Sequence, residues 1–350
     1  MTGVAIMGCG TVGSGAMKML TENAGPISRA AGREIRLQYV LDVRPVQVPE
    51  GVRQPASLDE ALSDENTRIF VESIGGCGIA FEMTKRALAA GRHVVTSNKE
   101  LVAERGDELI QLAREHGATY HYEAAVGGGV PVIRPINTCL AGNRLLAVSG
   151  IVNGSTNYLL TRMEKAGLSF PAALGEAKDL GYVEGNPDAD LEGWDARRKL
   201  AILANTAFGA KFSDDKQIPT TGIKSVTGAD FERAHELGGT IKLIACARRV
   251  GGNWTGWVSP AFVPKGHMLY GVDDVFNGIL VTGDFVGDVM FYGRGAGSKP
   301  TASAIAGDII EIARGIGQPP RPSAWESVSG FVPESDPKFA WPGTFIRALM

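Results

Sequence analysis

Short apolar runs alternate with helically spaced segments through the first third of the chain. Gly3–Met7, Arg36–Leu41, Arg68–Glu72 and His93–Thr96 read as strands. Between them, Val12–Asn23 carries Val12, Ala16, Met19 and Leu20 on one side, the 3.6-residue period of a helix laid on a core. Ile79–Ala90 repeats that spacing and stops at Gly91, a residue suited to a helix C-terminus. A further helix over Glu104–His116 and a strand over Thr119–Glu123 complete the series. Strand–helix alternation of this kind predicts an α/β domain, a doubly wound parallel sheet wrapped by helices.

Beyond this region the pattern changes. Leu145–Ile151 is a strand candidate and Trp194–Phe208 a strongly helical run. Ile241–Arg249, Trp254–Pro260, Asp274–Thr282 and Asp284–Phe291 are short extended segments punctuated by Gly, Asn and Asp, which suits a mixed α+β domain with a largely open sheet. Gly297-Ser298-Lys299-Pro300 then leads into a long helix over Thr301–Gly315, and the tail Pro319–Met350, rich in Pro, Ser and Trp, is expected to wrap the surface. The expected organisation is a Rossmann-like dinucleotide-binding domain over 1–135, with 300–350 returning to pack on it, and a second domain over 136–299.

A length of 350 residues suits two domains, and the 44% apolar and 21% charged residues are ordinary for globular cores. A formal net charge of −3 gives no surface for nucleic acid or an anionic membrane. No apolar run is long enough to span a bilayer, and Val4–Met7 lacks the basic leader and length of a signal peptide, so a cytoplasmic protein is expected. Cys9, Cys77, Cys139 and Cys246 are far apart with no histidine at zinc-ligand spacing, which favours free thiols over disulfides or a zinc site.

Gly8-Cys9-Gly10-Thr11-Val12-Gly13 is a GxGxxG directly after a strand and before a helix. Gly8 permits the tight turn, Gly10 lets backbone approach a pyrophosphate, and Gly13 allows close helix–strand packing, with the helix N-terminus offering N–H groups to the anion. The second strand ends at Asp42-Val43-Arg44. An acidic side chain there binds ribose hydroxyls and disfavours a 2′-phosphate, while an arginine accepts one, so Asp42 and Arg44 pull in opposite directions. The reading leans to NAD with NADP also used. Ile74-Gly75-Gly76 follows the third strand, where a nicotinamide-side loop would lie.

The segment Gly181–Asp190, continuing through Gly193-Trp194-Asp195-Ala196-Arg197-Arg198-Lys199-Leu200, is an acidic loop that runs into a helix. Asp195 and Lys199 are four apart and share a face. Taken alone, such a pair is ordinarily a surface ion pair; the acidic loop beside it, in a chain with a nicotinamide site, suggests more.

This segment resembles the homoserine dehydrogenase signature. In the same order, Gly8–Gly15, Thr96-Ser97-Asn98-Lys99, Glu123–Pro131, Gly150–Tyr158, Met290–Gly297 and Pro300–Ala304 resemble the same family, from about Gly3 to about Gly317. The resemblance implies interconversion of L-homoserine and L-aspartate 4-semialdehyde with NAD or NADP, in amino-acid biosynthesis towards threonine and methionine. It makes Lys199 the general acid/base, Asp195 its orienting partner, Asp190 and Glu184 substrate contacts (Glu184 for the ammonium), and Lys99 a cofactor contact or second proton-handling group. Backbone amides around Asn153, Gly154, Ser155 and Thr156 become candidates for the α-carboxylate. The cofactor set is Gly8, Gly10, Thr11, Val12, Gly13, Asp42, Arg44, Ile74, Gly75, Lys99 and Gly297. Glu123, Val126, Gly128 and Val130 match positions that hold a structural monovalent cation, Na⁺ or K⁺, largely through carbonyl oxygens. The resemblance also implies a homodimer, built through the second, substrate-binding domain.

Many relatives carry a regulatory domain after the catalytic part; this sequence resembles a short form without it, and threonine feedback through it is not expected. Ser97, Ser155 and Arg294 depart mildly from the commoner residues, and Trp194 is bulky before the key Asp195, which leaves a related hydroxy-amino acid or aldehyde as an alternative substrate. A dehydrogenase acting on a C–N bond and a nicotinamide-binding sensor without turnover are weaker alternatives, because Lys99, Asp195 and Lys199 are all present.

Overall fold

The computed structural model describes residues 1–183, 186–209, 215–317 and 346–347. They form two compact units, one comprising Met1–Ile133 with 296–317 and the other Arg134–Gly295 with 346–347. None of the described helices is long and apolar enough to cross a membrane.

In the first unit the chain runs through β1 (Thr2–Met7), α1 (Thr11–Glu22), α2 (Ala24–Ala31), β2 (Ile35–Leu41), α3 (Leu58–Ser63), β3 (Thr67–Glu72), α4 (Gly78–Ala89), β4 (His93–Thr96), α5 (Lys99–Glu115) and β5 (Tyr120–His121). The five strands form one parallel sheet in the order β2-β1-β3-β4-β5. Val4 and Ile6 of β1, Val40 of β2 and Ile69 and Val71 of β3 share one core with Ala16 and Leu20 of α1. The chain's twelfth helix, α12 (Ser298–Gly315), closes this core with Ile305, Ile309 and Ile312 and packs against α1 and α2.

Two boundaries differ from the sequence reading for local reasons. Helix α5 begins at Lys99 rather than Glu104, because the Asn98 side chain accepts the Leu101 N–H (3.1 Å) and so nucleates the first turn. Strand β5 stops at His121, short of Glu123. The Glu123 N–H donates to Asp308 Oδ2 of α12 (3.0 Å) instead of to the ladder, and Glu123–Ala125 forms a 3-10 turn.

The second unit contains α6 (Ile133–Asn137), β6 (Leu145–Ile151), α7 (Gly154–Ala166), α8 (Phe170–Asp179), α9 (Asp188–Leu191), α10 (Trp194–Phe208), α11 (Gly228–Glu236), β7 (Gly239–Val250), β8 (Asn253–Pro264), β9 (Phe276–Gly283) and β10 (Gly287–Arg294). Its sheet is antiparallel, in the order β10-β9-β6-β7-β8-β11, where β11 is Ile346–Arg347. Helices α7, α10 and α11 lie against β7, and Ile151, Ile244, Trp257, Val263 and Leu269 form part of the core. Of the 300–350 segment expected to return to the first domain, α12 packs there, whereas β11 pairs with Phe262 and Ala261 on β8. Residues 318–345 lie outside the described residues.

His93 of β4 is buried, with Nδ1 3.1 Å from Thr119 Oγ1. Burial, followed by the charges of Arg68, His121 and Arg92, pushes its pKa from 6.5 down to about 4. Between these values the unfolded chain takes up a proton that the folded chain refuses, so stability is full above pH 6.5 and is lost as pH falls towards 4. His93→Gln is expected to flatten this slope in denaturant melts compared at pH 7 and pH 5; an unchanged slope would assign the acid sensitivity elsewhere.

Candidate active site

The sheet order places β1 beside β3 where the winding of the chain reverses, the position at which such sheets bind ligands. Gly8 follows β1 with φ +91°, and a Cβ on Gly13 would lie 2.0 Å from the Gly8 carbonyl oxygen, so no side chain fits where α1 presses on the turn. Gly10 caps α1, and a Cβ placed on it would meet no protein atom within 4 Å. No side chain caps this helix start and no acidic residue lies in its first turn. The N–H groups around Thr11 and Val12 and the positive end of the helix thus suit an anionic pyrophosphate. Gly297, with φ +120°, caps α12, whose Ser298 sits against Gly15 of α1.

At the end of β2, the Asp42 carboxylate accepts the Cys9 N–H (2.8 Å) and the Arg44 N–H (2.9 Å), and it pairs with the Arg44 guanidinium at 3.1 Å. The Arg44 side-chain bond, followed by these backbone bonds, holds its pKa well below the usual carboxylate range. Arg44 itself is 70% exposed.

At the end of β3, Glu72 Oε1 accepts the N–H groups of Ile74 (2.8 Å) and Gly75 (3.4 Å), and Oε2 accepts the Thr96 hydroxyl (2.5 Å). Lys99 is the first residue of α5, directly after the Asn98 cap.

Glu123 Oε1 accepts the N–H groups of Val132 (2.6 Å) and Ile133 (2.9 Å). Between them the loop turns through Gly127 and Gly128, both at positive φ, with the Val130 N–H bonded to Gly127 O (2.8 Å). That Glu123 carboxylate oxygen is thus engaged at the start of the following helix. Two other groups of metal-ligating residue types come within 4.8 Å of one another, His121–Asp308–Glu311 and Cys77–Glu100–Glu104. In them Asp308 Oδ2 accepts the Glu123 N–H, and the Cys77 thiol donates to Glu104 Oε2 (3.2 Å).

The second unit holds the other constellation. Lys199 and Asp195, one turn apart on α10, are both buried and form an ion pair at 2.7 Å. Lys199 Nζ also donates to the Val152 carbonyl (2.8 Å). Asn153, the cap of α7, joins the parts: its Nδ2 donates to Asp190 Oδ1 and to Asp195 Oδ2, each at 2.7 Å, and its Oδ1 accepts the Thr156 N–H (2.8 Å). Burial sets this pair apart from the surface i,i+4 pair that its spacing alone suggests.

Most residues expected in the second-unit site converge, with altered parts for some. Asn153 orients the two carboxylates through its side chain, and Thr156 is buried with its N–H and hydroxyl on Asn153 Oδ1. The Ser155 hydroxyl donates to the Tyr182 carbonyl (2.7 Å). Glu184, expected to hold the substrate ammonium, lies outside the described residues. Residues the sequence reading missed are Val152, Glu72 and Thr96. Val152 acts through backbone, which no motif announces, whereas a glutamate closing the apolar run Ile69-Phe70-Val71 was a readable signal.

With the geometry in hand, comparisons with known proteins agree with each other. A family model described as Homoserine dehydrogenase matches residues 131–310, and one described as Homoserine dehydrogenase, NAD binding domain, matches residues 8–123. A homoserine dehydrogenase of Pseudomonas aeruginosa is 40% identical over 319 residues, which cover 91% of this chain and 73% of that protein. The crystal structure of a homoserine dehydrogenase from Thiobacillus denitrificans superposes with a TM-score of 0.89 at 38% identity, covering 95% of this chain and 79% of that one. A hyperthermophilic archaeal homoserine dehydrogenase in complex with NADPH gives a TM-score of 0.74 at 27% identity, covering 89% and 97%.

Proposed function

The chain belongs to the homoserine dehydrogenase family, and from that premise we propose that it interconverts L-homoserine and L-aspartate 4-semialdehyde with NAD or NADP, using Lys199 as the general acid/base. The observation that carries this reading is the buried Asp195–Lys199 pair, locked by Asn153 and the Val152 carbonyl. A surface ion pair has no need of such support. Substrate binding falls to Asp190, Glu184 and the first turn of α7.

A bound nicotinamide would supply the hydride chemistry between the alcohol and the aldehyde. The residues of this chain manage the oxygen and its proton. Two of the three N–H groups of Lys199 are directed at Asp195 and Val152, and the third is the one that serves the substrate oxygen. In the reducing direction the ammonium steadies charge developing on that oxygen and delivers the proton; in the oxidising direction the neutral amine removes it. Glu184 and Asp190 supply negative charge for the substrate ammonium, and Asp195 orients Lys199.

The turn at Gly8–Gly13 and the N-terminus of α1 fit the cofactor pyrophosphate, with Ile74, Gly75 and Lys99 on the nicotinamide side. A monovalent cation fits the carbonyls of Glu123, Val126, Gly128 and Val130, as a structural ion. Exposed apolar side chains of the β9–β10 hairpin, Phe285 and Val286 in its turn and Tyr292 on β10, support a homodimer through this domain.

Asp42 stays ionised at any working pH and repels a 2′-phosphate, while Arg44 attracts one, so NAD is slightly favoured and NADP is also used. Arg44→Ala is expected to lower kcat/KM for NADP about tenfold, the value of one charge-assisted bond, and to leave NAD within about twofold. Absorbance of the reduced nicotinamide, followed with L-homoserine and each cofactor in turn, tests both the activity and this preference. Equal losses for the two cofactors would remove Arg44 from the phosphate's reach.

A further inference from the structure

We infer that Glu72 is a positioning residue for the cofactor: its buried carboxylate clamps together the two loops that leave the β3 and β4 ends of the parallel sheet. This inference rests on the reading of that sheet edge as the nicotinamide site.

Glu72 is the last residue of β3, and its side chain is fully buried directly after the buried apolar residues Ile69, Phe70 and Val71. Burying a carboxylate is costly unless it is surrounded by donors. Its carboxylate accepts three hydrogen bonds. Oε1 takes the N–H groups of Ile74 and Gly75, which begin the loop after β3, and Oε2 takes the Thr96 hydroxyl at the end of β4. The Thr96 oxygen accepts the Asn98 N–H (2.9 Å), and Asn98 Nδ2 donates back to the Gly76 carbonyl (2.7 Å). The chain of bonds is thus a closed ring running from Glu72 through Thr96 and Asn98 to Gly76 and back along the backbone to Glu72. The same Asn98 caps α5 through Leu101, which places Lys99 at a fixed helix start.

The loop held by this ring needs such help. Gly75 and Gly76 both adopt positive φ, and a Cβ on either would meet no protein atom within 4 Å. With no side chains, these residues have nothing of their own to pack, and the hydrogen bonds to Glu72 and Asn98 set where their backbone lies. A loop of this kind can approach a planar ring closely, but only a pinned one does so without an ordering cost at each binding event. Burial raises the Glu72 pKa, and the bonds donated by Thr96, Ile74 and Gly75 oppose that rise by favouring the carboxylate form that accepts them.

The test compares Glu72→Ala, Glu72→Gln and Thr96→Val with the wild-type enzyme, measuring KM for cofactor and KM for L-homoserine separately, and cofactor affinity by direct fluorescence titration of the reduced nicotinamide. Glu72→Ala is expected to raise KM and Kd for the cofactor about tenfold or more, the effect of losing one or two buried bonds to a charged group, with KM for homoserine within about twofold. Glu72→Gln keeps an oxygen for Ile74 and Gly75 but turns an amide towards Thr96, and should recover part of the loss. Thr96→Val, which breaks the ring without touching Glu72, should shift the cofactor constants in the same direction and decides the matter if Glu72→Ala does not fold. Unchanged cofactor constants in folded variants, or equal shifts in both KM values, would overturn the inference. A wild-type protein that binds cofactor but leaves homoserine untouched would instead sink the substrate assignment, and the fluorescence titration would still read the clamp.

Discussion

Lys199→Ala is expected to lower homoserine turnover by about a thousandfold while leaving nicotinamide binding unchanged, because general acid/base groups contribute on that scale. The variant also removes the cation paired with the buried Asp195, which keeps Asn153 Nδ2 as a donor. Removing one partner of a buried pair costs about 3–5 kcal/mol, so a lower melting temperature should accompany the lost activity. Lys199→Arg separates the two effects. It keeps the positive charge beside Asp195, and so most of the stability, but a guanidinium does not give up its proton, and turnover should stay abolished. Steady-state rates and thermal melts on the same preparations check this. A Lys199→Arg enzyme with substantial activity would mean that Lys199 supplies charge and that proton transfer lies elsewhere.

Gly10→Ala should weaken the nicotinamide cofactor by roughly 10- to 100-fold, the value of about one charge-assisted hydrogen bond, with no loss of stability in its absence. The added methyl meets no protein atom within 4 Å, and Gly10 has negative φ, so the fold accepts alanine. What the methyl occupies is the approach to the first-turn N–H groups of α1. Gly13→Ala is the contrasting substitution: its methyl would lie 2.0 Å from the Gly8 oxygen, so it should lower both affinity and melting temperature. Isothermal titration beside thermal melts distinguishes them, and a Gly10→Ala protein with wild-type affinity would remove this turn from the pyrophosphate site.

The contrast between those two glycines shows what the sequence could convey. The parallel sheet was legible because its strands are short apolar runs, two of them framed by glycines (Gly8, Gly91) that only a turn explains, and because α1 and α4 repeat apolar residues at helical spacing. Helix α10 was legible to the residue for the same reason. Helices α7, α8 and α11 went unread. In α7 the buried positions include Thr156 and Thr161, whose hydroxyls bond Asn153 and the Asn157 carbonyl, and Asn157, whose amide donates to the distant Val272 carbonyl, so the apolar period that marks a helix is broken. Strand β5 was read two residues too long because Glu123 leaves the ladder for an aspartate 185 positions away.

The candidate site divides along the same line. Asp195 and Lys199 are visible as a pair because a helix brings residues four apart together. Asn153 joins Asp190 and Asp195 across 37 and 42 positions, a link that the packing of α7 beside α9 creates. The Val152 carbonyl carries no sequence signal at all. The Glu72–Thr96–Asn98 ring spans two strand ends, and although Glu72 closes an apolar run and Thr96 and Asn98 lie in a family-like segment, the bonds that join them carry no sequence signal.

The most direct measurement uses L-homoserine carrying two deuterium atoms on its hydroxyl-bearing carbon, incubated with the protein and oxidised NAD or NADP, with both products examined by mass spectrometry. The assignment predicts one deuterium on the reduced nicotinamide ring and the other retained in the aldehyde, with neither exchanged into water. Protein shown to bind the cofactor, yet yielding no deuterated nicotinamide, would contradict it.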